Sequence, residues 1–295
     1  RRRRMTKADK ENELTDALKQ KLERCREIIR RRGPAVVAFS GGVDSMLLLT
    51  LAAAALGADN VLAVLAVSPS LPRRELAEAR EMARHAGVKL VEVQTDEMSD
   101  PRYAANPPQR CYFCKLHIFG SLWRVARDNG FEAVLCGANA DDLADFRPGL
   151  QAGEEMNIAN PLMESGLTKA DIRIASRSMN LPTWNKPSMA CLASRVPYGQ
   201  PISAELFERI DRAENVLRDL GFASCRVRSH GSVARIEVEP DRFGDLMHLR
   251  EQVCLQFSTI GYTYICLDLQ GLRSGSMNDA RTPACNPSCT PEKAG

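Results

Sequence analysis

Histidine is scarce in this chain, four in 295 residues, and aromatic side chains make up only 5%. Few histidines means few of the usual metal ligands and general bases. No histidine pair supplies the second half of a zinc site, and no GxSxG elbow occurs. His117 and His230 have no partner pattern for nucleophilic catalysis and are read as structural. No apolar run is long enough and free enough of charge to span a bilayer, and no signal peptide is visible. Charge of one sign is not in excess either: the net charge is +3, and Arg1 to Arg4 alone carry four positives, leaving the remainder at −1. A near-neutral body argues against a broad nucleic-acid footprint. The arginine run reads as a solvated terminus; a transit peptide fits poorly, because Asp9, Glu11, Glu13 and Asp16 follow closely. There is no internal repeat. The expectation is a cytoplasmic protein with no membrane partner and no nucleic-acid partner.

Cysteine, by contrast, is present ten times, too sparsely for a disulfide scaffold in a chain this long. In a reducing compartment such a set implies buried thiols, with a subset kept for chemistry. Hydrophobic content of 44% and charged content of 26% are ordinary for a globular protein, and 295 residues are enough to bury a core and form two domains.

The stretch AVVAFSGGVDSMLLL, Ala35 to Leu49, organises the chain. Ala35 to Phe39 reads as a buried strand, Ser40-Gly41-Gly42 as a tight turn, and Asp44-Ser45 as the opening of an apolar helix. Adjacent glycines bring backbone N–H groups close to a bound oxygen, and the helix start adds unpaired donors and a positive dipole end, which suits pyrophosphate. The GxxxxGK spacing of the Walker loop is absent. SGGVDS between strand and helix is instead the pattern of PP-loop ATP pyrophosphatases, which split ATP into AMP and pyrophosphate and adenylate an acceptor.

Helical spacing of Leu14, Leu18, Leu22 and Ile29 precedes this stretch. Strands are expected at 61–67, 88–93 and 132–136, with helices over 72–85 and from just after Cys114 to about Asn129. This alternation predicts an α/β fold with a doubly wound parallel sheet, and ligands at the carboxyl ends of its strands, where Ser40, Ser68 and Gly137 fall. A short helix over 168–179 and the segment NKPSMACLASRVPYG are expected to form the far wall of the site. A second, smaller α+β domain follows: an amphipathic helix with Leu206, Ile210, Ala213, Leu217 and Leu220 on one face, strands 225–229 and 233–238 about a His230-Gly231-Ser232 turn, a helix over 241–257 and a strand over 262–267. The domain boundaries expected are 1–32 for a tail and helix, 33–180 for the ATP pyrophosphatase domain, 181–273 for a linker and the substrate or oligomerisation domain, and 274–295 for a mobile tail, in which Cys285 and Cys289 have no assigned role.

Several constellations could carry chemistry. Cys111-x-x-Cys114 sits at a loop-to-helix junction, where a helix start favours thiolate. Alone it is half a zinc site, a redox pair or chance. Cys191, far downstream, would add a third thiol; three thiolates can hold three irons of a [4Fe–4S] cluster and leave the fourth open. The bland reading of Cys191 is a small buried hydrophobe. Arg226 and Arg228 project from one strand face, suited to a phosphate or carboxylate or, equally, to a solvated face balanced by Glu237 and Glu239. Glu214, Glu237 and Asp245 fall on successive elements and could converge on a divalent ion.

Taken together, SGGVDS, RCYFCK (Arg110 to Lys115), GANADD, NKPSMACLASRVPYG, RVRSHGSVARIEVEP and LDLQGLRSGSMN resemble the LarE family. These enzymes are ATP-dependent sulfur transferases that convert the carboxylates of pyridinium-3,5-biscarboxylic acid mononucleotide into thiocarboxylates during nickel-pincer nucleotide synthesis. The resemblance implies that Ser40, Gly41, Gly42, Asp44, Ser45 and Gly137 bind ATP with Mg2+. It implies that Arg226, Arg228 and Arg273 hold the substrate phosphate, that Ser194 and Arg195 lie near the acceptor, and that Glu214, Glu237 and Asp245 form a carboxylate metal site. Cys191 matches the cysteine that sacrificial members convert to dehydroalanine. Those members lack the CxxC pair, so Cys111, Cys114 and Cys191 together look like the branch that holds a [4Fe–4S] cluster and takes sulfide or cysteine-derived sulfur. Homo-oligomers are expected from the same resemblance. The rival readings are a tRNA-thiolating PP-loop enzyme, which predicts a basic surface, an amide ligase of the PP-loop type, which needs none of the three cysteines, and a nucleotide-binding regulator without catalysis, against which Asp44 and Ser45 weigh.

Overall fold

A computed structural model describes residues 14–144, 148–187 and 190–273. The arginine run and the 274–295 segment with Cys285 and Cys289 lie outside the described residues. The chain divides into two compact units. One comprises the described residues up to Cys191 together with Tyr198–Ala204. The other comprises Leu192–Pro197 and the described residues from Glu205 onward.

The first unit runs α1 (Asp16–Arg32), β1 (Ala35–Ala38), α2 (Val43–Leu56), β2 (Val61–Val67), α3 (Arg73–Ala86), β3 (Leu90–Gln94), α4 (Pro101–Ala104), α5 (Arg110–Asp128), β4 (Ala133–Leu135), α6 (Pro148–Glu155), α7 (Pro161–Glu164) and α8 (Lys169–Ser178). Its four strands are all parallel, in the order β3-β2-β1-β4, with Ala35 opposite both Val61 and Ala133. β1, β2 and β4 are apolar on both faces because helices cover both, while the edge strand β3 carries Glu92 and Gln94. Val37, Ala63 and Leu135 point into one core with Leu18, Leu22, Cys25 and Ile29 of α1 and Met46 and Leu49 of α2. Val36, Leu62, Val64 and Val134 point the other way, against Phe119, Leu122 and Ala126 of α5. The α2 sequence is apolar all round because it is buried, with Leu47, Leu48 and Leu49 consecutively inaccessible. Strand order reverses between β1 and β4, and such a reversal opens a ligand crevice beyond the carboxyl ends of those strands.

The second unit contains α9 (Ala204–Asp219), β5 (Cys225–His230), β6 (Val233–Val238), α10 (Phe243–His248), α11 (Arg250–Ile260) and β7 (Tyr264–Leu267). β5 and β6 form an antiparallel hairpin closed by Gly231, at φ +66, and Ser232; β7 joins β6 in parallel. The helix expected over 241–257 is broken in two at Leu249, whose N–H is shared between the Asp245 and Leu246 carbonyls, the tightened geometry of a helix end. The buried face of α9 also departs from expectation: Leu206 is half-buried, while Asp211 and Glu214 join Phe207, Ile210, Ala213 and Leu217 inside.

Candidate active site

The glycine turn occupies the crevice. Gly41 adopts φ +70, and a Cβ there would meet the Ala79 Cα of α3 at 2.7 Å, so both backbone twist and packing require glycine. Gly42 is the N-cap of α2, and no side chain caps it, so the first-turn N–H groups remain available to an anion. Ser45 ties the turn together: its hydroxyl accepts from the Ser40 N–H at 3.2 Å, meets the Ser40 hydroxyl at 3.2 Å and donates to the Gly42 carbonyl at 3.1 Å. Gly137, past the end of β4, lies flat against the start of α2; a Cβ there would come within 3.2 Å of Asp44 C and Ser45 N. Ser68, past the end of β2, bonds Ser70. Thus Ser40, Gly41, Gly42, Asp44, Ser45 and Gly137 are brought together at the strand ends.

Two lysines missing from the sequence reading stand beside this turn. Lys169 forms an ion pair with Asp44, while Asn139 reaches the other Asp44 oxygen at 3.5 Å. Lys169 opens α8, held in place by a capping box of Thr168 and Asp171 and by its own N–H donating to Asp141 at 2.8 Å. The Lys186 ammonium contacts Glu75 and Glu78, each at 2.8 Å, and the Gly41 carbonyl at 3.4 Å. Burial disfavours its charge, but Glu75 and Glu78 outweigh that and hold its pKa above the usual lysine value, so it stays protonated. Lys186 stands within the NKPSMAC run, yet no local spacing links it to Gly41, 145 residues earlier.

The three candidate thiols all belong to the first unit. Cys111 is exposed, Cys114 half-buried and Cys191 exposed. Burial first, then the neighbouring Cys191, Glu97 and Cys111, push the Cys114 thiol well above its ordinary value, while Lys115 offsets part of the rise. Exposed Cys191 does not fit the reading of it as a small buried hydrophobe. Cys25 and Cys225 differ: both are sealed in cores, and burial pushes each to about 12. The CxxC helix is steadied by Arg110, which donates to Asn106 at 2.8 Å and stacks over Tyr198 at 4.6 Å. His117, three residues beyond Cys114, bridges Asp96 at 3.0 Å and Asp100 at 3.1 Å.

The second unit holds the remaining candidates in a lattice of ion pairs. Arg195, wholly buried, makes a two-pronged contact with Glu214 at 2.9 and 3.1 Å and also bonds the Ser194 hydroxyl. Glu214 further takes Arg218 at 2.9 Å and the Val227 N–H at 3.1 Å. Burial pushes its pKa up, but Arg195, Arg218 and Arg226 outweigh that and hold its carboxyl below the ordinary value. Arg228 reaches diagonally across the hairpin to Glu237 at 3.0 and 2.8 Å and donates to the Ser194 carbonyl at 2.9 Å. Arg235 contacts Glu237 and Asp268, and Arg273 contacts Asp268 at 3.6 Å. Arg226 and Arg228 share a strand face. Burial first, then Arg195 and Arg228, disfavour the charge of Arg226, so an incoming anion would stabilise it. The carboxylate metal site expected at Glu214, Glu237 and Asp245 is not assembled. Glu214 and Glu237 are each committed to arginines, and Asp245 is exposed, paired with Arg242 at 2.6 Å. Among the described residues, no three Cys, His, Asp or Glu side chains converge as ligands of a single metal ion, and no helix is long and apolar enough to cross a membrane.

Residues 11–105, which include the glycine turn, match the NAD synthase family. Over most of its length the chain is also similar to three curated proteins. It is 42% identical over 268 residues to an uncharacterised protein of Synechocystis sp., covering 90% of this chain and 99% of the relative. It is 30% identical over 239 residues to an uncharacterised protein of Methanocaldococcus jannaschii, covering 81% and 90%. To the pyridinium-3,5-bisthiocarboxylic acid mononucleotide synthase of Lactiplantibacillus plantarum it is 38% identical over 248 residues, covering 84% of this chain and 90% of that enzyme. With a parallel sheet, a nucleotide turn at its switch point and this likeness along nearly the whole chain, the protein belongs to the LarE family of PP-loop, ATP-dependent sulfurtransferases.

Proposed function

We propose that this enzyme adenylates the carboxylates of pyridinium-3,5-biscarboxylic acid mononucleotide and replaces carboxylate oxygen with sulfur delivered at Cys111, Cys114 and Cys191. The observation that carries the reading is that the compact unit bearing the glycine turn also carries Cys111 and Cys114, three residues apart at the start of α5, and an exposed Cys191. A carboxylate is a poor electrophile. Attack of its oxygen on the α-phosphorus of ATP releases pyrophosphate and leaves AMP on the acyl oxygen as a good leaving group. The uncapped start of α2, with Lys169 and Lys186 beside it, would hold the departing pyrophosphate, and Asp44 would hold magnesium against the phosphates. A sulfur nucleophile then attacks the acyl carbon and AMP departs. Arg226, Arg228 and Arg273 are the candidates for the substrate phosphate, and Ser194, bonded by Arg195 and Arg228, for a group facing the acceptor.

The thiols suit iron, since soft thiolates select iron–sulfur clusters. A [4Fe–4S] cluster bound there would supply exchangeable sulfide. Exposed Cys191 supports a second reading, in which its own sulfur is given up once. Pyrophosphate release measured with and without the pyridinium acceptor tests the adenylation: release independent of the acceptor would overturn it. Iron and sulfide analysis after anaerobic purification, with Cys111→Ala alongside, separates the two sulfur sources. Near-stoichiometric iron that vanishes in the variant supports the cluster; absent iron, with one sulfur's mass lost from Cys191 after turnover, supports sacrifice.

A further inference from the structure

Lys186 is held at both ends as it reaches the glycine turn. Its backbone is gripped from α8, where the Arg173 guanidinium donates to the Trp184 and Lys186 carbonyls, each at 2.9 Å. Arg173 lies four residues after Lys169, and so on the same face of that helix. One helix therefore presents the lysine paired with Asp44 and fastens the segment that carries the other lysine. The ammonium end is held from α3. Glu75 and Glu78, three apart on one face, each lie 2.8 Å from it. Ala79, one turn on from Glu75, is the residue against which Gly41 packs.

An ammonium has three donors, and three acceptors surround this one: the two carboxylates and the Gly41 carbonyl at 3.4 Å. They differ in how readily they could be exchanged. The Glu75 side chain is 12% exposed and the Glu78 side chain 53%. A shielded ion pair is costly to break from one side, whereas an exposed pair is screened and worth little. The Gly41 contact is the longest of the three and involves a neutral oxygen. Phosphate oxygens are stronger acceptors for a cation than either a screened carboxylate or a distant carbonyl. Two carboxylates against one ammonium also leave the cluster at a net charge of −1, beside a turn built for an anion. Giving up one carboxylate removes that opposition.

We propose that Glu75 and Arg173 are positioning residues for Lys186, and that Glu78 is a resting partner which Lys186 exchanges for a pyrophosphate oxygen at the glycine turn. This inference deepens, and rests on, the reading above in which that turn takes the pyrophosphate of ATP. Glu75 and Arg173 keep the lysine beside Gly41 while Glu78 releases it, so the ammonium turns about a fixed anchor. The two glutamates, one helical turn apart, thus have opposite effects on the anion: Glu75 favours its binding and Glu78 competes with it.

The test is calorimetric titration of inorganic pyrophosphate, with magnesium, into the full chain, folding being checked by circular dichroism. Glu78→Gln should bind about two- to fivefold more tightly than the wild type, the size of an exposed ion pair. Glu75→Gln should bind about tenfold less tightly, the size of one charge-assisted hydrogen bond misaimed. Removing negative charge would by itself tighten both variants, so opposite signs mark positioning. Arg173→Lys keeps the charge but loses the two-pronged grip and should weaken binding several-fold; it takes the place of Glu75→Gln if that variant does not fold. In a Lys186→Met background the gain from Glu78→Gln should vanish. Changes of the same sign at Glu75 and Glu78, or a gain that persists without Lys186, overturn the assignment. Lys186→Met that binds like the wild type also overturns it and leaves the turn as the pyrophosphate site. Wild-type protein that binds no pyrophosphate overturns both.

Discussion

The glycine turn of the first unit and the arginine–carboxylate lattice of the second differ in what each leaves open. In the turn, backbone N–H groups at the start of α2 have no side-chain cap, and the nearby cations rest on Asp44, Glu75 and Glu78. In the lattice, guanidiniums are already matched: Arg195 with Glu214, Arg228 with Glu237, Arg273 with Asp268. A site made of backbone donors waits for its anion cheaply, because water satisfies it meanwhile. A site made of buried charge must be neutral before any ligand arrives, or the unit does not fold. Perturbing the lattice should therefore cost stability first, and perturbing the turn should cost nucleotide chemistry first.

The largest effect is expected at Arg195. Removing it as Arg195→Ala leaves inaccessible Glu214 with Arg218 as its remaining direct ion-pair partner, and breaking a buried pair from one side costs about 3–5 kcal/mol. Urea unfolding measures it. Replacing both partners together, as Arg195→Met with Glu214→Leu, should recover most of the loss. A single-variant loss under about 1 kcal/mol would break the contrast between the two regions.

Gly41→Ala follows. It combines an unfavourable φ of +70 with a methyl placed 2.7 Å from the Ala79 backbone, together about 2–4 kcal/mol, and displaces the N–H groups proposed to hold pyrophosphate. Pyrophosphate release should be abolished at temperatures where the chain is still folded. Wild-type release would mean that the turn does not bind the nucleotide.

These two positions also show what the sequence could and could not reveal. The turn was legible because a strand, two glycines and a helix start are contiguous, and each obeys a local rule. The parallel sheet was legible for the same reason, since its strands are short apolar runs separated by helices. Glu214 was not: α9 offers acidic and apolar residues at similar spacings, and only the arrival of Arg195 and Arg218 makes a buried carboxylate tolerable there. Glu214, Glu237 and Asp245, expected to share a divalent ion, are instead paired with arginines in this structure, because charge spacing along the chain does not say which counter-charge is nearest. Lys169 was missed likewise, its place beside Asp44 arising from a partner 125 residues away on another element.

Lys169→Ala sharpens the comparison from the other side. The Lys169–Asp44 pair is partly exposed, so its removal should cost less than about 1 kcal/mol of stability. Loss of the cation proposed to hold the departing pyrophosphate should nevertheless slow its release by about 100-fold. Equal losses in stability and rate would make Lys169 a structural lysine only.

The smallest effect concerns the loop that carries Glu97. His117 joins Asp96 and Asp100 across it; burial lowers its pKa, but Asp100 and Asp96 outweigh burial and raise it above the ordinary value. A raised folded-state pKa stabilises the fold fully below the unfolded value of about 6.5, and the contribution fades as pH rises through the folded value. His117→Gln should therefore lower the urea midpoint at about pH 5.5 and approach the wild type at about pH 9, with a maximum loss of roughly 1 kcal/mol. A gap that is constant with pH would mean that the ring packs rather than carries charge. A gap that closes would show that a proton on His117 clamps Asp96 and Asp100 together, so that charge neutralisation shapes the first unit as well, away from the glycine turn.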